Sequence, residues 1–446
     1  MKKSLLLLLL IGSIQLISCG DDDKKDTPAE VPSAYTSLPG TLIVEDETWS
    51  GTKTLTGAYY ILPGVTLTIE PGTVIKFTYH NNNPDSVGSI FALKADPTNF
   101  STPRASARLE AEGTAANPII FTSAKTTKAA GDWGGIVLIG EAPNNIPGGI
   151  GDVEGVSSEI QYGGSNTADN SGTLKYVRIE YCGFGLITDS ELNGLSLYSC
   201  GSGTTLDHVQ VYKCTDDGFE FFGGSVNAKY LVSAYNDDDS FDHDQGWNGK
   251  GQFWLGVQTT GADNGFESDG RHTLGSGNPT KPTIYNVTLY GLGTGKDAAD
   301  GNRGMRLRED FEGTLKNFLI TNFAGVAWRL ESASGDSTSR NYDKGLLTIT
   351  NAVVYNNDRD VTVAGNYGGF NSLNDSTRFF AAANVTEANP NFTNVGSKDF
   401  SVQAGSPCLS NAATPPSDGF FDVSATYRGA MGSTNWATGS WVRWSD

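Results

Sequence analysis

Short segments in which apolar and polar residues alternate recur along the chain. Residues two apart are apolar in each of them, the pattern of a β-strand that turns one face to a core and the other to solvent. This first ladder of segments comprises Tyr176–Glu180, His208–Tyr212, Asn286–Tyr290, Asn317–Thr321 and Asn351–Tyr355. The pattern predicts a series of similar strands separated by turns.

A second ladder is interleaved with the first, and each of its segments begins with glycine or another small residue. Its segments are Gly135–Leu138, Gly194–Leu197, Gly218–Phe221, Ser240–His243, Gly265–Ser268, Gly304–Leu307 and Ala327–Leu330. The steps from residue 195 to 219, 241 and 266 are 24, 22 and 25 residues, and the next step, of 39 residues to Met305, indicates an insertion. Such a period is typical of a solenoid, in which neighbouring coils bury each other's apolar faces.

These repeats predict an all-β fold, a single-stranded right-handed parallel β-helix with capped ends and loop insertions. Like positions on successive coils of such a solenoid lie about 4.8 Å apart. We therefore expect one interior column formed by Leu195, Phe219, Phe241, Phe266, Met305 and Trp328. Residues 37–405 form the predicted solenoid, with excursions at 80–106 and 141–172, and residues 406–446 are predicted to be a C-terminal capping segment.

The N-terminus has the pattern of an export signal. Residues 1–18 combine two lysines with the apolar run Leu5–Leu10, and Leu16–Cys19 resembles a bacterial lipobox. That resemblance implies lipidation of Cys19, with residues 19–36 as an acidic, flexible tether. The acidic run Gly20–Asp23 is similar to the surface-export tag of Bacteroidetes lipoproteins; a solvated linker is the alternative. We expect a lipid anchor in the outer membrane, an extracellular orientation, and an outer-membrane transporter as a candidate partner.

Charge narrows the choice of ligands. A formal net charge of −19 excludes a typical nucleic-acid partner, because binding phosphates requires clustered lysine and arginine. Cations and neutral glycans are compatible with this charge, although acidity also serves solubility alone. The four histidines form no metal-type cluster, so a zinc site is not expected.

Charged residues occupy the outward positions of the second ladder. In-register coils would align Val137, Ser196, Glu220, Asp242, Glu267, Arg306 and Arg329, which we call the acid file. Carboxylates about 5 Å apart repel each other, which raises a pKa or recruits a cation. Calcium prefers oxygen ligands, and its candidate ligands are Asp217, Glu220, Asp239, Asp242 and Glu267. The alternative for the turn acids is that they bond their own backbone.

Four further motifs are Thr68–Lys76, Gly131–Ile136, Asp216–Gly224 and Ala425–Ala430. Together they resemble a Bacteroidetes family of surface lipoproteins with a pectate-lyase-like β-helix and no settled activity. Stacked acids beside an arginine are also similar to the pectate-lyase arrangement, and this likeness implies calcium with Arg306 or Arg329 as the base. A pair of acids could instead hydrolyse a glycosidic bond. The chain lacks further motifs of those enzymes, so whether it is an enzyme stays open.

Two smaller predictions concern tryptophan and cysteine. Trp247, between Gly246 and Asn248, is the preferred surface residue for stacking on a sugar. Cys182 and Cys214 fall at equivalent positions of successive coils, where they could form a disulfide or remain stacked thiols.

The leading functional hypothesis is a surface lipoprotein that binds a glycan or a cation-bridged ligand on the acidic face. A calcium-dependent polysaccharide lyase or a glycoside hydrolase is the first alternative. A passive adhesion or envelope-structure protein is the second.

Overall fold

The structure is a computed structural model that describes residues 30–83, 86–156, 160–184, 192–275, 277–293, 302–331, 335–364 and 384–446. The predicted signal peptide and Cys19 lie outside the described residues. The first ten strands are β1 (Gly40–Ile43), β2 (Glu47–Trp49), β3 (Thr52–Leu55), β4 (Ala58–Ile61), β5 (Thr66–Ile69), β6 (Val74–Phe77), β7 (Ser89–Ala92), β8 (Arg108–Glu112), β9 (Ile119–Ser123) and β10 (Ile136–Ile139).

The next ten strands form the middle of the chain. They are β11 (Gly151–Asp152), β12 (Gln161–Tyr162), β13 (Gly172–Glu180), β14 (Leu195–Tyr198), β15 (Thr205–Tyr212), β16 (Phe219–Phe222), β17 (Asn227–Ala234), β18 (Phe241–Asp244), β19 (Lys250–Val257) and β20 (Asn264–Asp269).

The remaining strands are followed by an extended C-terminal segment. They are β21 (Thr283–Tyr290), β22 (Arg303–Arg308), β23 (Gly313–Thr321), β24 (Val326–Glu331), β25 (Leu347–Thr350), β26 (Val353–Tyr355), β27 (Arg359–Ala364), β28 (Thr386–Glu387), β29 (Phe392–Asn394) and β30 (Asp399–Val402). One short α-helix, Thr338–Asp343, and 3-10 turns at Ser33–Tyr35, Val395–Ser397 and Pro407–Leu409 occur among the described residues. No helix there is long and apolar enough to cross a membrane.

Two long parallel sheets form the body of the molecule. In the described residues, sheet A has the strand order β1-β4-β7-β10-β14-β16-β18-β20-β22-β24-β27. The main path of sheet B is β2-β5-β8-β13-β15-β17-β19-β21-β23-β26-β28. From β13 to β24 consecutive strands alternate between the two sheets, so each coil there adds one rung to both. In the earlier coils, pairs of short strands such as β5 and β6 both belong to sheet B. The predicted parallel β-helix is confirmed.

Aromatic residues fill the interior in register. Phe219 pairs with Phe241 and Phe241 with Phe266 along sheet A, and all three side chains are fully buried. Successive rings are 5.5 Å apart between centroids. The predicted interior column is therefore confirmed, and it locks the coils of sheet A to one another.

The longer strands of sheet B bend where one residue adopts a left-handed conformation. These residues are Tyr176, His208, Tyr230, Phe253, Asn286 and Asn317, with φ between 49° and 63°. Left-handed backbone is unfavourable for bulky side chains. Tyr176, His208, Tyr230 and Phe253 stack face to face at 4.2–4.8 Å, so ring packing offsets the backbone strain along this column.

The C-terminal segment 406–446, predicted as a cap, lies along the outer side of sheet B. Gln210 and Gln252 each use both amide atoms to bond backbone groups of this segment, at Arg443 and Asp422. Trp441 is buried there in a second apolar cluster with outward residues of sheet B such as Val232 and Leu255. This segment, which we call the side strap, gives the solenoid a covered outer face.

Replacing Phe241 by alanine tests the interior column. The substitution removes a fully buried ring between two others, so we expect the free energy of unfolding to fall by about 3–5 kcal/mol. Chemical denaturation followed by circular dichroism measures it. Phe420→Ala, a half-buried ring on the side strap, is the control and should cost clearly less. Equal losses would contradict the role of the column.

Candidate functional site

The acid file exists as a continuous row on the outer face of sheet A. Ser196 pairs with Glu220, Glu220 with Asp242, and Asp242 with Glu267. Arg306 follows Glu267, and Arg329 follows Arg306. Val137, the first residue of the file, pairs with Ser196. The register predicted for the file is thus confirmed, and seven coils contribute one side chain each.

Arginines neutralise one half of this row. The guanidinium of Arg306 lies 2.9 Å from Glu267 Oε1, and that of Arg308 lies 2.9 Å from Glu267 Oε2. Arg329 forms a 2.9 Å ion pair with Glu331. Because both guanidiniums are already engaged by carboxylates, Arg306 and Arg329 are poorly placed to contact a substrate as the base of a lyase.

Glu220 and Asp242 lie in the other half and have no such compensation. Among the described residues, no lysine or arginine forms an ion pair with either carboxylate. Burial, and then the charge of the next acid in the file, raise the pKa of both groups well above its usual range. Together with Asp217, they place one carboxylate oxygen each within 4.8 Å of the others.

The turn that precedes the sheet A strands carries a second set of acids, and these bond the backbone. Asp217 Oδ1 accepts a hydrogen bond from the backbone N–H of Asp239 at 2.9 Å. Asp239 Oδ1 accepts one from the N–H of Asn264 at 2.5 Å. The alternative interpretation, that turn acids satisfy neighbouring backbone groups, therefore accounts for much of the role of Asp217 and Asp239.

A second outward row, two residues further along each strand, was missed by the sequence reasoning. Tyr198 pairs with Phe222 and Phe222 with Asp244, while Asp269 pairs with Arg308 on the later coils. Burial, and then the negative charge of Asp269, raise the pKa of Asp244 to about 7. The period-two pattern of the same strands contained this signal, because residues i and i+2 share a face.

The described part of the excursion, residues 141–156 and 160–171, crosses the ends of the sheet A strands. Asn145 donates hydrogen bonds to the carbonyls of Gly270 and Asn278 at 2.9 and 3.0 Å, far along the solenoid from where the excursion begins. A Cβ on Gly223 would lie 2.6 Å from the Cβ of Asn144, so glycine permits this close approach. The excursion, which we call the arm, borders the acidic half of the file.

The structure corrects the prediction for Trp247. Its side chain is fully buried and packs on Phe221, His243 and Trp254 instead of meeting solvent. The indole N–H donates to the carbonyl of Val226 at 3.1 Å. Flanking glycine and asparagine indicated a surface loop, but an aromatic side chain gains more by filling the interior.

The predicted cysteine pair is present as two buried thiols. Cys182 and Cys214 are both free and fully buried, so the disulfide is not formed and the alternative of stacked thiols describes the structure. Burial, and then the neighbouring thiol of Cys182, raise the pKa of Cys214. A thiol kept protonated is a poor nucleophile for disulfide exchange.

Comparison with known proteins assigns the solenoid to a family. The family model described as pectate-lyase like beta helix domain matches residues 41–400, so the chain belongs to this family. Membership supports a polysaccharide-related role. A search of curated proteins finds no match to the chain.

Thermal unfolding as a function of pH tests the burial of Asp244. The folded-state pKa of about 7 lies above the usual 3.8, so folding takes up a proton between those values. The free energy of unfolding should therefore fall as the pH rises through this window, and the stability contribution is complete only below it.

Asp244→Asn should flatten part of this decline, because the amide carries no charge at either pH. The exposed Glu112→Gln is the control and should keep the wild-type slope. Melting temperatures of the three proteins between pH 4 and 8 provide the measurement. An unchanged slope in Asp244→Asn would contradict the assignment.

Proposed function

We propose that this protein is a lipid-anchored surface protein that binds a polysaccharide on the outer face of sheet A. The uncompensated pair of Glu220 and Asp242 is the observation that carries the proposal. A protein does not gain stability from two adjacent, partly buried carboxylates without a counter-charge, so a ligand that interacts with them is the simplest reason for their presence.

The linear arrangement of the acid file supports an elongated ligand. The file presents one side chain per coil at a spacing of about 4.8 Å, and the arm borders its acidic half. Hydroxyl groups of a glycan can donate hydrogen bonds to the carboxylates of Glu220 and Asp242. Membership of the pectate-lyase like family is consistent with a polymeric sugar.

The location follows from the N-terminal pattern. Lipidation at Cys19 and the acidic run Gly20–Asp23 support attachment to the outer membrane with the solenoid facing outward. A transporter in the same membrane is the partner that a surface glycan-binding protein would serve.

One observation favours a glycoside hydrolase as a second candidate. A carboxylate oxygen of Glu220 and one of Asp242 lie within 4.8 Å, near the roughly 5 Å separation of retaining enzymes. The raised pKa of either group suits the general acid, and the other group would be the carboxylate nucleophile. A lyase that uses Arg306 or Arg329 is less well supported, because both guanidiniums are held in ion pairs.

Binding to immobilised polysaccharides tests the proposal with the soluble fragment 24–446. The double variant Glu220→Gln/Asp242→Asn should bind its polysaccharide at least about tenfold more weakly, equivalent to about 1.4 kcal/mol. Glu70→Gln, an exposed acid in the turn after β5, is the matched control and should bind normally.

Product analysis of the same incubations separates the alternatives. Retention of the polysaccharide without any product supports a binding protein. New reducing ends that depend on Glu220 and Asp242 indicate a hydrolase, and unsaturated sugar products indicate a lyase. Neither retention nor product across a broad panel would overturn the proposal and leave a passive adhesion or envelope role.

A further inference from the structure

Four cationic side chains gather on the outer side of sheet B, in a chain that carries a net charge of −19. Three of them meet at Thr122 and Glu180. Glu180 accepts hydrogen bonds from Arg178 and, at 3.1 Å, from Arg443 Nη1. Thr122 Oγ1 donates to Glu180 Oε2 at 3.0 Å and accepts from Lys128 Nζ at 2.9 Å. Three cations are thus linked to a single carboxylate, whose residue is only 1% exposed.

Lys76 is the fourth cation. It pairs in register with Thr122 on the neighbouring strand and lies between two fully buried residues of β6, so it points outward beside the same threonine. Burial is the largest of the causes that lower the pKa of Lys128, and the neighbouring cations act in the same direction against the charge of Glu180. One carboxylate balances only one of the four cations, so positive charge is in surplus here. We call these four residues the basic cluster: Lys76, Lys128, Arg178 and Arg443.

The other acids near the basic cluster are already paired. Asp446 Oδ2 lies 2.6 Å from Lys213 Nζ, and Asp132 Oδ1 lies 2.8 Å from Lys125 Nζ. Within the part of the chain that the structure describes, no carboxylate other than that of Glu180 forms an ion pair with the basic cluster. The surplus of positive charge is therefore not removed by the protein itself.

Anchoring of the side strap explains half of the basic cluster. Arg443 belongs to the strap, and Arg178 Nη1 donates to the strap carbonyl of Ser440 at 2.6 Å, so both guanidiniums hold the strap to sheet B. Lys76 and Lys128 form no hydrogen bond to the strap among the described residues. Two lysines that only add repulsion to a structural contact indicate a second role for this place.

The basic cluster is open to solvent and is held together by an aromatic ring. Lys76 and Lys128 are half-buried, and the side chain of Arg443 is 25% exposed. The Lys128 ammonium and the Arg443 guanidinium lie 5.6 and 5.4 Å from the centre of the Tyr181 ring, which keeps the two cations close to each other. A small anion can therefore reach cations that the ring and Glu180 hold in position.

We propose that the basic cluster binds one phosphate group. Its cations come from β6, the loop after β9, β13 and the side strap, so they approach from several directions. A tetrahedral phosphate with three free oxygens can contact them together, whereas a planar carboxylate offers only two oxygens. Guanidiniums bind phosphate oxygens in pairs, and lysine adds a point charge. The site is independent of the proposed function, because it lies on sheet B and includes no residue of the acid file.

Calorimetric titration of the fragment 24–446 with sodium phosphate, at an ionic strength fixed with sodium chloride, tests the site. One phosphate should bind per chain. Lys76→Gln and Lys128→Gln should each weaken binding at least about tenfold, because each removes a charge without touching the strap. Lys344→Gln, an exposed lysine near β25, is the charge-matched control and should bind normally. Absence of phosphate binding in the wild-type fragment, or an equal loss in all three variants, would overturn the proposal.

The melting temperature separates a ligand site from a structural role. In phosphate-free buffer Lys128→Gln should melt at the wild-type temperature or above it, since the substitution relieves repulsion among the cations. Phosphate should raise the melting temperature of the wild type and leave that of Lys128→Gln unchanged. A variant that melts lower without phosphate, and still gains the wild-type increase with it, would show that Lys128 only supports the fold and would contradict the proposal.

Lipid vesicles distinguish two sources of the phosphate group. Phosphatidic acid presents a phosphate monoester at a membrane surface, and inorganic phosphate presents the group in solution. Retention of the fragment on vesicles of phosphatidylcholine and phosphatidic acid, lost in Lys128→Gln but kept in Lys344→Gln, supports a lipid headgroup as the ligand. Binding of inorganic phosphate without such retention supports a soluble phosphate compound. If neither is observed, the basic cluster only fastens the strap and the proposal is wrong.

Discussion

In sheet A, equivalent residues of successive coils stack directly on one another, and the rest of the molecule depends on this constraint. Each rung is too short to bury its own apolar face, so every coil relies on the coils above and below. Phe219, Phe241 and Phe266 satisfy that need inside the solenoid. The same register that aligns these rings must also align whatever lies between them, and for that reason outward carboxylates accumulate in one place.

This coupling explains how acids distant in sequence become neighbours at a cost to stability. Sheet A brings Glu220 and Asp242 together without any local interaction that favours the pair. Further along sheet A, the same register places Arg306 next to Glu267, and this ion pair removes the charge repulsion. In one half of the row arginines balance the carboxylate charge, and in the other half nothing does. Such an arrangement is more typical of a functional site than of an ordinary solvent-exposed face.

Periodicity predicted those parts of the structure that repeat. The interior column and the acid file follow from spacing alone, because a shift of register by one residue would turn every phenylalanine outward. Trp247 escaped prediction because it stands outside the repeat, where flanking glycine suggests a loop and only the tertiary structure reveals an interior slot.

The side strap has a consequence for how the chain acquires its structure. Ser440 donates a hydrogen bond to Ala115, 325 residues earlier, and Asp446 accepts one from Tyr181. Coils can form one after another as the polypeptide emerges, but the apolar outer strip that includes Val232 and Leu255 stays uncovered until the side strap has been synthesised. Contacts of such high sequence separation form slowly, so an incompletely synthesised chain exposes an apolar surface that is prone to aggregation. Docking of the side strap is therefore a late step in folding, and removing residues 406–446 would also uncover coils that precede it by as many as 325 residues.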